Sequence, residues 1–396
     1  MHLRYLTRLR LVAFLAVLSI LYCAWRFPSL QVSTRLEKAF HGVSTRIVVF
    51  GDSFSDTGAN VERSSIGESL ANRPVGSRPW VTTLCDEFVC DHIHNFAQSY
   101  PAGREAVSGG AVLDNGIYAN TTSDRAIASK LLPDLKAQVQ KWIAFEDKHL
   151  TPTQRRLDDI LFTITFGPWD LLHYATLDSE IAQEAIGSSI YVLFQQLDII
   201  ADRSVKPPRI VIPLLWDVTF SPYFMSLSDN ITLSEYGNQQ RRTAFLIRFW
   251  NEAIRYMAGQ WARGFLFLPD WNAWVAEQLR INQLQASGTT DASGAGKDVA
   301  AFSDVSTPCL HNTASKKPGA LPAVGAGCDN PGEHLFWDDL HFSEKANRLL
   351  GRSAVDLLAA NDTANAPLRA SSVPADTNRA TRRIDVHVGP GMPPGL

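Results

Sequence analysis

The chain alternates short, uninterrupted apolar runs with longer segments whose apolar residues recur at helical spacing, and this rhythm most constrains its fold. Four runs are typical of buried strands: Ile47–Phe50, Ile160–Phe166, Arg209–Leu215 and Phe265–Leu268. Four segments are typical of helices: Leu135–His149, Ser179–Ala201, Ser234–Trp261 and Ser343–Ala360. Strands joined by helices form parallel sheets with helices on both faces. The sequence therefore predicts an α/β fold, a three-layer α/β/α sandwich around a mostly parallel central sheet.

Changes in composition mark the limits of this domain, which we place at residues 45–360. Residues 27–44 are polar and are predicted to be a linker. From Asn361 the chain has few large apolar residues, so we predict a disordered tail over residues 361–396. Residues 286–333 are rich in Gly, Ala, Ser and Thr without any period, which predicts a long loop inside the domain.

The first 26 residues predict export. Arginines precede an apolar run at Leu11–Trp25, which is the pattern of a secretory signal peptide. A helix of that length reaches about 22 Å, short of the roughly 30 Å of a membrane's hydrocarbon core. The small residues that a signal peptidase requires are missing, because Tyr22 lies two positions before Ala24. We expect residues 1–26 to be a signal peptide of a secreted protein. The alternative is an uncleaved signal-anchor, in which residues 11–25 hold a single-pass type II membrane protein.

Four cysteines outside this leader agree with export. They form two sequence-local pairs that allow three connectivities, and we favour Cys85–Cys90 and Cys309–Cys328, with free buried thiols as the alternative. Three N-glycosylation acceptor sequences start at Asn120, Asn230 and Asn361. Such tripeptides are compatible with a glycosylated surface in a secreted protein.

The charge balance argues against one class of partner. The chain has 37 Lys and Arg residues against 40 Asp and Glu residues, a formal net charge of -3. A mildly acidic protein has no electrostatic attraction for phosphate backbones, so we expect no nucleic-acid partner. We expect a monomer that acts on small molecules.

The first candidate for chemistry is the block FGDSFSDTG, which directly follows the first strand. Ligands of open α/β sheets bind at the carboxyl ends of the strands. Ser53, between a glycine and the start of a helix, is expected to present its hydroxyl there beside backbone N–H groups. A neutral serine becomes a nucleophile only with a general base and a site for the oxyanion.

The second block, FWDDLHFS, supplies a base. Asp338 lies three residues before His341, a spacing that lets a carboxylate hold Nδ1–H while Nε2 faces the nucleophile. Asp339 is not suitably spaced and is predicted to be a solvated surface acid.

These two blocks together resemble the GDSL-type SGNH hydrolase family, in its longer plant-and-fungal lipase and esterase form. FWDDLHFSEKAN resembles that family's FWDxxHPTEKAN. The resemblance implies a flavodoxin-like fold and a cofactor-free hydrolase without a metal. It also implies that Ser53 is the nucleophile and first oxyanion donor, His341 the base and Asp338 its orienting acid.

The two middle blocks of the family match less closely. AVSGGAVLD resembles the segment with the oxyanion glycine, which implies Gly109 or, with a slip of one residue, Gly110. An Asn95-Phe-Ala sequence upstream indicates an insertion within this block. In the third block Trp169 replaces the family's Asn. Its indole N–H is a donor, so Trp169 either replaces the Asn contact or forms an aromatic wall of the substrate site.

We therefore expect a serine esterase that cleaves a lipid, a small ester or an O-acetylated carbohydrate through an acyl-enzyme. Two alternatives stay open: a membrane-anchored glycan O-acyltransferase, and a catalytically silent binding protein on the same scaffold. Among other histidines, His92 and His94 alternate like strand-mounted ligands but lack a third, so we expect surface residues. His173 and His334 are weaker candidates to line the cleft.

Overall fold

The computed structural model describes residues 44–58, 78–99, 109–122, 131–229, 231–297, 300–310, 328–361 and 363–364. Five strands lie in this part of the chain: β1 (Thr45–Gly51), β2 (His92–Asn95), β3 (Asp159–Thr165), β4 (Arg209–Val211) and β5 (Phe265–Phe267). The α-helices of the described residues are α1 (Trp80–Phe88), α2 (Asn115–Asn120), α3 (Leu135–His149), α4 (Pro152–Leu157), α5 (Pro168–Tyr174), α6 (Ser179–Arg203), α7 (Pro222–Ser226), α8 (Leu233–Gln260), α9 (Trp271–Ala286) and α10 (Glu344–Ala360). Short 3-10 turns lie at Val218–Phe220, Leu227–Asp229 and Pro331–Glu333.

The five strands form one parallel sheet in the order β2-β1-β3-β4-β5. β1 lies between β2 and β3, with Ile47 opposite Leu161 on one side and Ile93 on the other. After β1 the chain adds β2 on one side of it, and the later strands β3, β4 and β5 then extend the sheet on the other side. The switch in direction opens a crevice at the carboxyl ends of β1 and β3, where ligands of such sheets bind.

Helices pack around this sheet in two groups. α1 packs against α10, whereas α6 packs against α3 and α8. All seven residues of β1 are buried, as expected for a strand covered on both faces. The predicted α/β sandwich is confirmed, and its parallel sheet sets the position of the site.

Both favoured cysteine pairs are disulfides in the structure. The Cα atoms of Cys85 and Cys90 are 5.0 Å apart and those of Cys309 and Cys328 are 4.9 Å apart. Two disulfides fit a protein of an oxidising compartment.

The predicted leader, linker and C-terminal tail lie outside the described residues, apart from Ser44 and the first residues after α10. Within the described ranges, none of the helices has the length and apolar character that a membrane span requires. Asn120 and Asn361 are exposed, whereas Asn230 lies outside the described residues. Glycosylation at these positions stays a prediction.

Candidate active site

Ser53 lies in the turn that follows β1, at the carboxyl edge of the sheet. Gly51 ends the strand with φ +154°, and a Cβ there would lie 2.6 Å from the Thr165 carbonyl oxygen, so only glycine fits. Asp52 N–H donates to that carbonyl over 3.1 Å, and Asp56 N–H donates to the Asp52 carbonyl over 3.0 Å. The chain therefore turns sharply against β3 and starts a helical turn with Ser53 on it.

The structure brings Ser53, His341 and Asp338 together across 288 positions of sequence. His341 Nε2 lies 2.8 Å from Ser53 Oγ. On the other side of the ring, Nδ1 lies 2.9 Å from Asp338 Oδ2 and 3.0 Å from Oδ1. Serine hydroxyl, imidazole and carboxylate thus form one hydrogen-bonded chain.

Asp338 is held as a carboxylate by its surroundings. Its Oδ1 also accepts hydrogen bonds from the backbone N–H groups of His341, at 2.6 Å, and Leu340, at 2.9 Å. Burial raises the pKa of Asp338, but the facing His341 and these hydrogen bonds together bring the pKa below its ordinary value. A charged carboxylate fixes the tautomer in which Nδ1 carries the proton and Nε2 accepts one.

The loop that carries His341 is fixed on several sides. Trp337 N–H donates to the His341 carbonyl oxygen over 2.7 Å, and Ser343 caps α10 through the Ala346 N–H. The ring of Phe54 packs against the imidazole with centroids 4.8 Å apart. Asp339 is half-buried rather than fully solvated, and its carbonyl oxygen accepts the Tyr223 N–H over 2.9 Å.

Trp169 contacts Ser53 directly. Gly167 turns the chain after β3 with φ +124°, where a Cβ would lie 2.6 Å from Leu215 Cδ1, and α5 begins at the next residue. The buried Trp169 side chain then donates its Nε1–H to Ser53 Oγ over 3.1 Å. The structure therefore places the indole N–H of Trp169 within hydrogen-bond distance of the Ser53 hydroxyl oxygen.

Gly110 lies next to the contact between Ser53 and Trp169. A Cβ on Gly110 would lie 2.6 Å from Ser53 N and 2.8 Å from Trp169 Nε1. Gly110 therefore packs directly against both nitrogens, and any larger residue there would push Ser53 or Trp169 out of place. Gly109, the glycine that the resemblance first implied, is also buried.

The inferred insertion lies between two paired residues. Ser99 forms an antiparallel bridge with Gly110, and Ala111 N–H donates to the Gln98 carbonyl oxygen over 3.1 Å. The two parts of the glycine block are therefore neighbours in space. Residues 100–108 lie outside the described residues.

Two buried acids beside the predicted residues were missed by the sequence analysis. Asp170 accepts the Leu113 N–H at 3.0 and 3.3 Å, and burial raises its pKa to about 7. Burial likewise raises the pKa of Asp52 well above its ordinary value, and the nearby Asp170 carboxyl adds to the effect. Asp170 connects the start of α5 to the segment that carries Gly110. Position next to Ser53 and Trp169 was the only sequence signal that could have drawn attention to these acids.

The other histidines that were considered from the sequence lie on different parts of the fold. His92 and His94 lie on β2, and burial lowers the pKa of His94 to about 4. His334 Nδ1 contacts the Thr307 carbonyl oxygen at 3.0 Å. In contrast, His173 lies on α5, the helix that also carries Trp169.

No group of three or more His, Cys, Asp or Glu side chains in the described ranges could hold a metal ion.

An open parallel α/β sheet with a Ser–His–Asp chain at its carboxyl edge defines the class of this protein, an α/β protein with the constellation of a serine hydrolase. The family model of the GDSL-like Lipase/Acylhydrolase matches residues 47–354, more than half of the chain. The chain therefore belongs to this family, which supports hydrolysis of ester bonds in general. Comparison with curated proteins finds no match.

Proposed function

We propose that the protein is a serine esterase that cleaves carboxylic ester bonds through an acyl-enzyme on Ser53. The observation that carries this proposal is the contact of 2.8 Å between Ser53 Oγ and His341 Nε2, with Asp338 on the far side of the ring. A serine hydroxyl in that position has a general base within reach, and the base has a carboxylate that orients it.

The first half-reaction forms the acyl-enzyme. Ser53 Oγ attacks the ester carbonyl carbon while His341 Nε2 takes the hydroxyl proton. Asp338 stays ionised and stabilises the imidazolium. When the tetrahedral intermediate collapses, the bond to the leaving oxygen breaks, and His341 gives its proton to the departing alcohol.

The oxyanion accepts hydrogen bonds from Ser53 N–H and Trp169 Nε1–H, the two groups against which Gly110 packs. We propose Gly110 rather than Gly109 as the glycine of this site, because the distances from its Cβ position support that choice. The indole has a single N–H, which donates to Ser53 Oγ in the free enzyme. In the tetrahedral intermediate Oγ is an uncharged oxygen bonded to the former carbonyl carbon, and it is a weaker acceptor than the oxyanion, so the indole N–H shifts to the oxyanion.

The second half-reaction is hydrolysis. Water enters after the alcohol has left, and His341 removes its proton as the water oxygen attacks the acyl carbon. The second tetrahedral intermediate uses the same donors. Its collapse releases the carboxylic acid and returns the proton to Ser53 Oγ.

The test is a kinetic panel of esters with increasing acyl chain length, together with acetylated xylan. Ser53→Ala is expected to reduce kcat by at least about 10⁴-fold on every ester that the wild type cleaves. Asp338→Asn is expected to reduce kcat by roughly 10³–10⁴-fold, whereas the matched Asp339→Asn leaves it unchanged. Turnover that survives Ser53→Ala contradicts the acyl-enzyme.

The same panel separates hydrolysis from transfer. Addition of an acceptor alcohol gives only free acid if water is the acceptor, whereas a glycan O-acyltransferase gives the transesterified product.

The two disulfides support a place in the secretory pathway or outside the cell. We propose that the enzyme is secreted. If residues 11–25 are still present on the mature protein, the enzyme is instead held in the membrane by a signal-anchor.

A further inference from the structure

His173 and Trp169 share one face of α5. They are four residues apart in the helix Pro168–Tyr174, and residues at that spacing lie one turn above each other, about 6 Å along the axis. Trp169 uses this face to reach Ser53 Oγ. His173 is therefore the next side chain after Trp169 along this face of the helix.

The ring of His173 is held in place by α2 and the residue that follows it. Its Nε2 lies 2.9 Å from Thr121 Oγ1, and its ring lies 4.2 Å from the ring of Tyr118 between centroids. The Thr121 hydroxyl is within 2.9 Å of the Tyr118 carbonyl oxygen and 3.1 Å of the Ile117 carbonyl oxygen. A threonine that donates its hydrogen to a helix carbonyl accepts with its lone pairs. Nε2 of His173 therefore carries the proton.

This tautomer leaves Nδ1 of His173 as an acceptor. Burial lowers the pKa of His173, so the ring is neutral around pH 7. Within the described part of the chain, Thr121 supplies the hydrogen-bond partner of this ring, and it does so through Nε2. The residue is half-buried, so part of it is open to solvent.

We infer that His173 Nδ1 accepts a hydrogen bond from a hydroxyl group of the substrate, so that the preferred substrates are esters with a free hydroxyl near the scissile bond. This inference rests on the proposed esterase function. A hydroxyl is the group that matches a neutral acceptor nitrogen next to an aromatic ring. Both an acetylated sugar and an acylated glycerol carry such a hydroxyl, and the experiment separates them.

The test compares kcat/KM for three acetate esters: monoacetylated xylobiose, monoacetylglycerol and 4-nitrophenyl acetate, which has no hydroxyl. His173→Phe keeps a ring against Tyr118 but removes the acceptor. We expect the ratio of kcat/KM for a hydroxyl-bearing ester to that for the aryl acetate to fall about tenfold, mainly through KM. The ester whose ratio falls identifies the source of the hydroxyl. His149→Phe, at an exposed histidine on α3, is the control and leaves both ratios unchanged.

Two results overturn the inference. Ratios that stay within twofold for both hydroxyl-bearing esters exclude the contact, and an equal loss on all three esters indicates a purely structural role. Nitrogen-15 NMR of the wild-type imidazole gives a readout independent of the variant, because a proton on Nδ1 also overturns the inference. A wild type that cleaves no ester contradicts the esterase proposal itself, whereas active wild type with unchanged ratios contradicts only the role of His173.

Discussion

At the scale of single residues, Trp169 is the proposed oxyanion donor whose loss can be measured most simply. Its N–H lies 3.1 Å from Ser53 Oγ, so we expect Trp169→Phe to keep the packing and lose the donor. Loss of one oxyanion donor lowers kcat by roughly 10²–10³-fold. The measurement is kcat on the best ester of the panel, with the thermal unfolding midpoint as control. If kcat of Trp169→Phe stays within a few-fold of wild type, Trp169 is not an oxyanion donor and instead forms an aromatic wall of the substrate site.

Gly110 gives a second prediction at this scale. The methyl group of Gly110→Ala would lie 2.6 Å from Ser53 N and 2.8 Å from Trp169 Nε1, so one or both of these donors must move. We expect kcat to fall by at least about 10²-fold, because a displaced donor no longer reaches the oxyanion. Gly187→Ala is the control, because a Cβ at that helix position meets no atom within 4 Å. Equal activity of Gly110→Ala and wild type would remove Gly110 from the oxyanion site.

The raised pKa of Asp170 predicts that the stability of the folded protein depends on pH. Burial raises its pKa from 3.8 to about 7 in the folded protein. A carboxyl with a raised folded pKa stabilises the protein fully below its unfolded pKa, and this contribution is lost as pH rises through about 7. Relative to Asp170→Asn, wild type should therefore lose free energy of unfolding between about pH 4 and 7, on the order of a few kcal/mol. Denaturant unfolding of both proteins across this range measures it, and parallel pH profiles would contradict the raised pKa.

At the scale of elements, the Cys309–Cys328 disulfide lies against the loop that carries Asp338 and His341. Cys309 N–H donates to the Phe336 carbonyl oxygen over 3.1 Å, and Leu310 N–H donates to that of Trp337 over 2.7 Å. These contacts end one residue before Asp338. The Cys85–Cys90 disulfide instead closes the turn after α1.

We expect the two disulfides to differ in their effect on activity. The double substitution of Cys309 and Cys328 by Ser should lower kcat/KM at least tenfold, because the loop of Asp338 loses a support. The double substitution of Cys85 and Cys90 should lower stability alone; each disulfide contributes roughly 2–4 kcal/mol. Kinetics at 25 °C and unfolding midpoints of the two variants separate these effects. Equal kinetics of both variants would contradict the role of the second disulfide.

The elements that the sequence predicted well are those with a strong period and a cap. Helix α3 has the predicted bounds, Leu135–His149, and Asp134 caps it through the Ala137 N–H. β4 ends at Val211, earlier than predicted, because Pro213 has no N–H for the ladder, although the Leu214 N–H still reaches the Pro269 carbonyl oxygen. Helix α9 was missed because it buries only Trp271 and Val275 fully, too few for a clear stripe.

At the scale of the whole molecule, parallel topology explains why the position of Ser53 could be predicted and the packing around it could not. Strands that run in one direction place their following loops at one edge, so a serine directly after β1 was expected at the carboxyl edge of the sheet. The choice between Gly109 and Gly110 depends on how a chain with an insertion closes, which single-residue patterns do not encode. The carboxyl of Asp170 acts through tertiary contacts with Leu113, which local sequence equally leaves unspecified.

The measurement that tests the central claim most directly is labelling by a fluorophosphonate, followed by mass spectrometry of the modified peptide. A serine activated by His341 should form one covalent adduct, on Ser53, and His341→Ala should slow labelling by at least about 10³-fold. An adduct on another serine, or labelling of Ser53 at an equal rate without His341, would contradict a nucleophile activated by this imidazole.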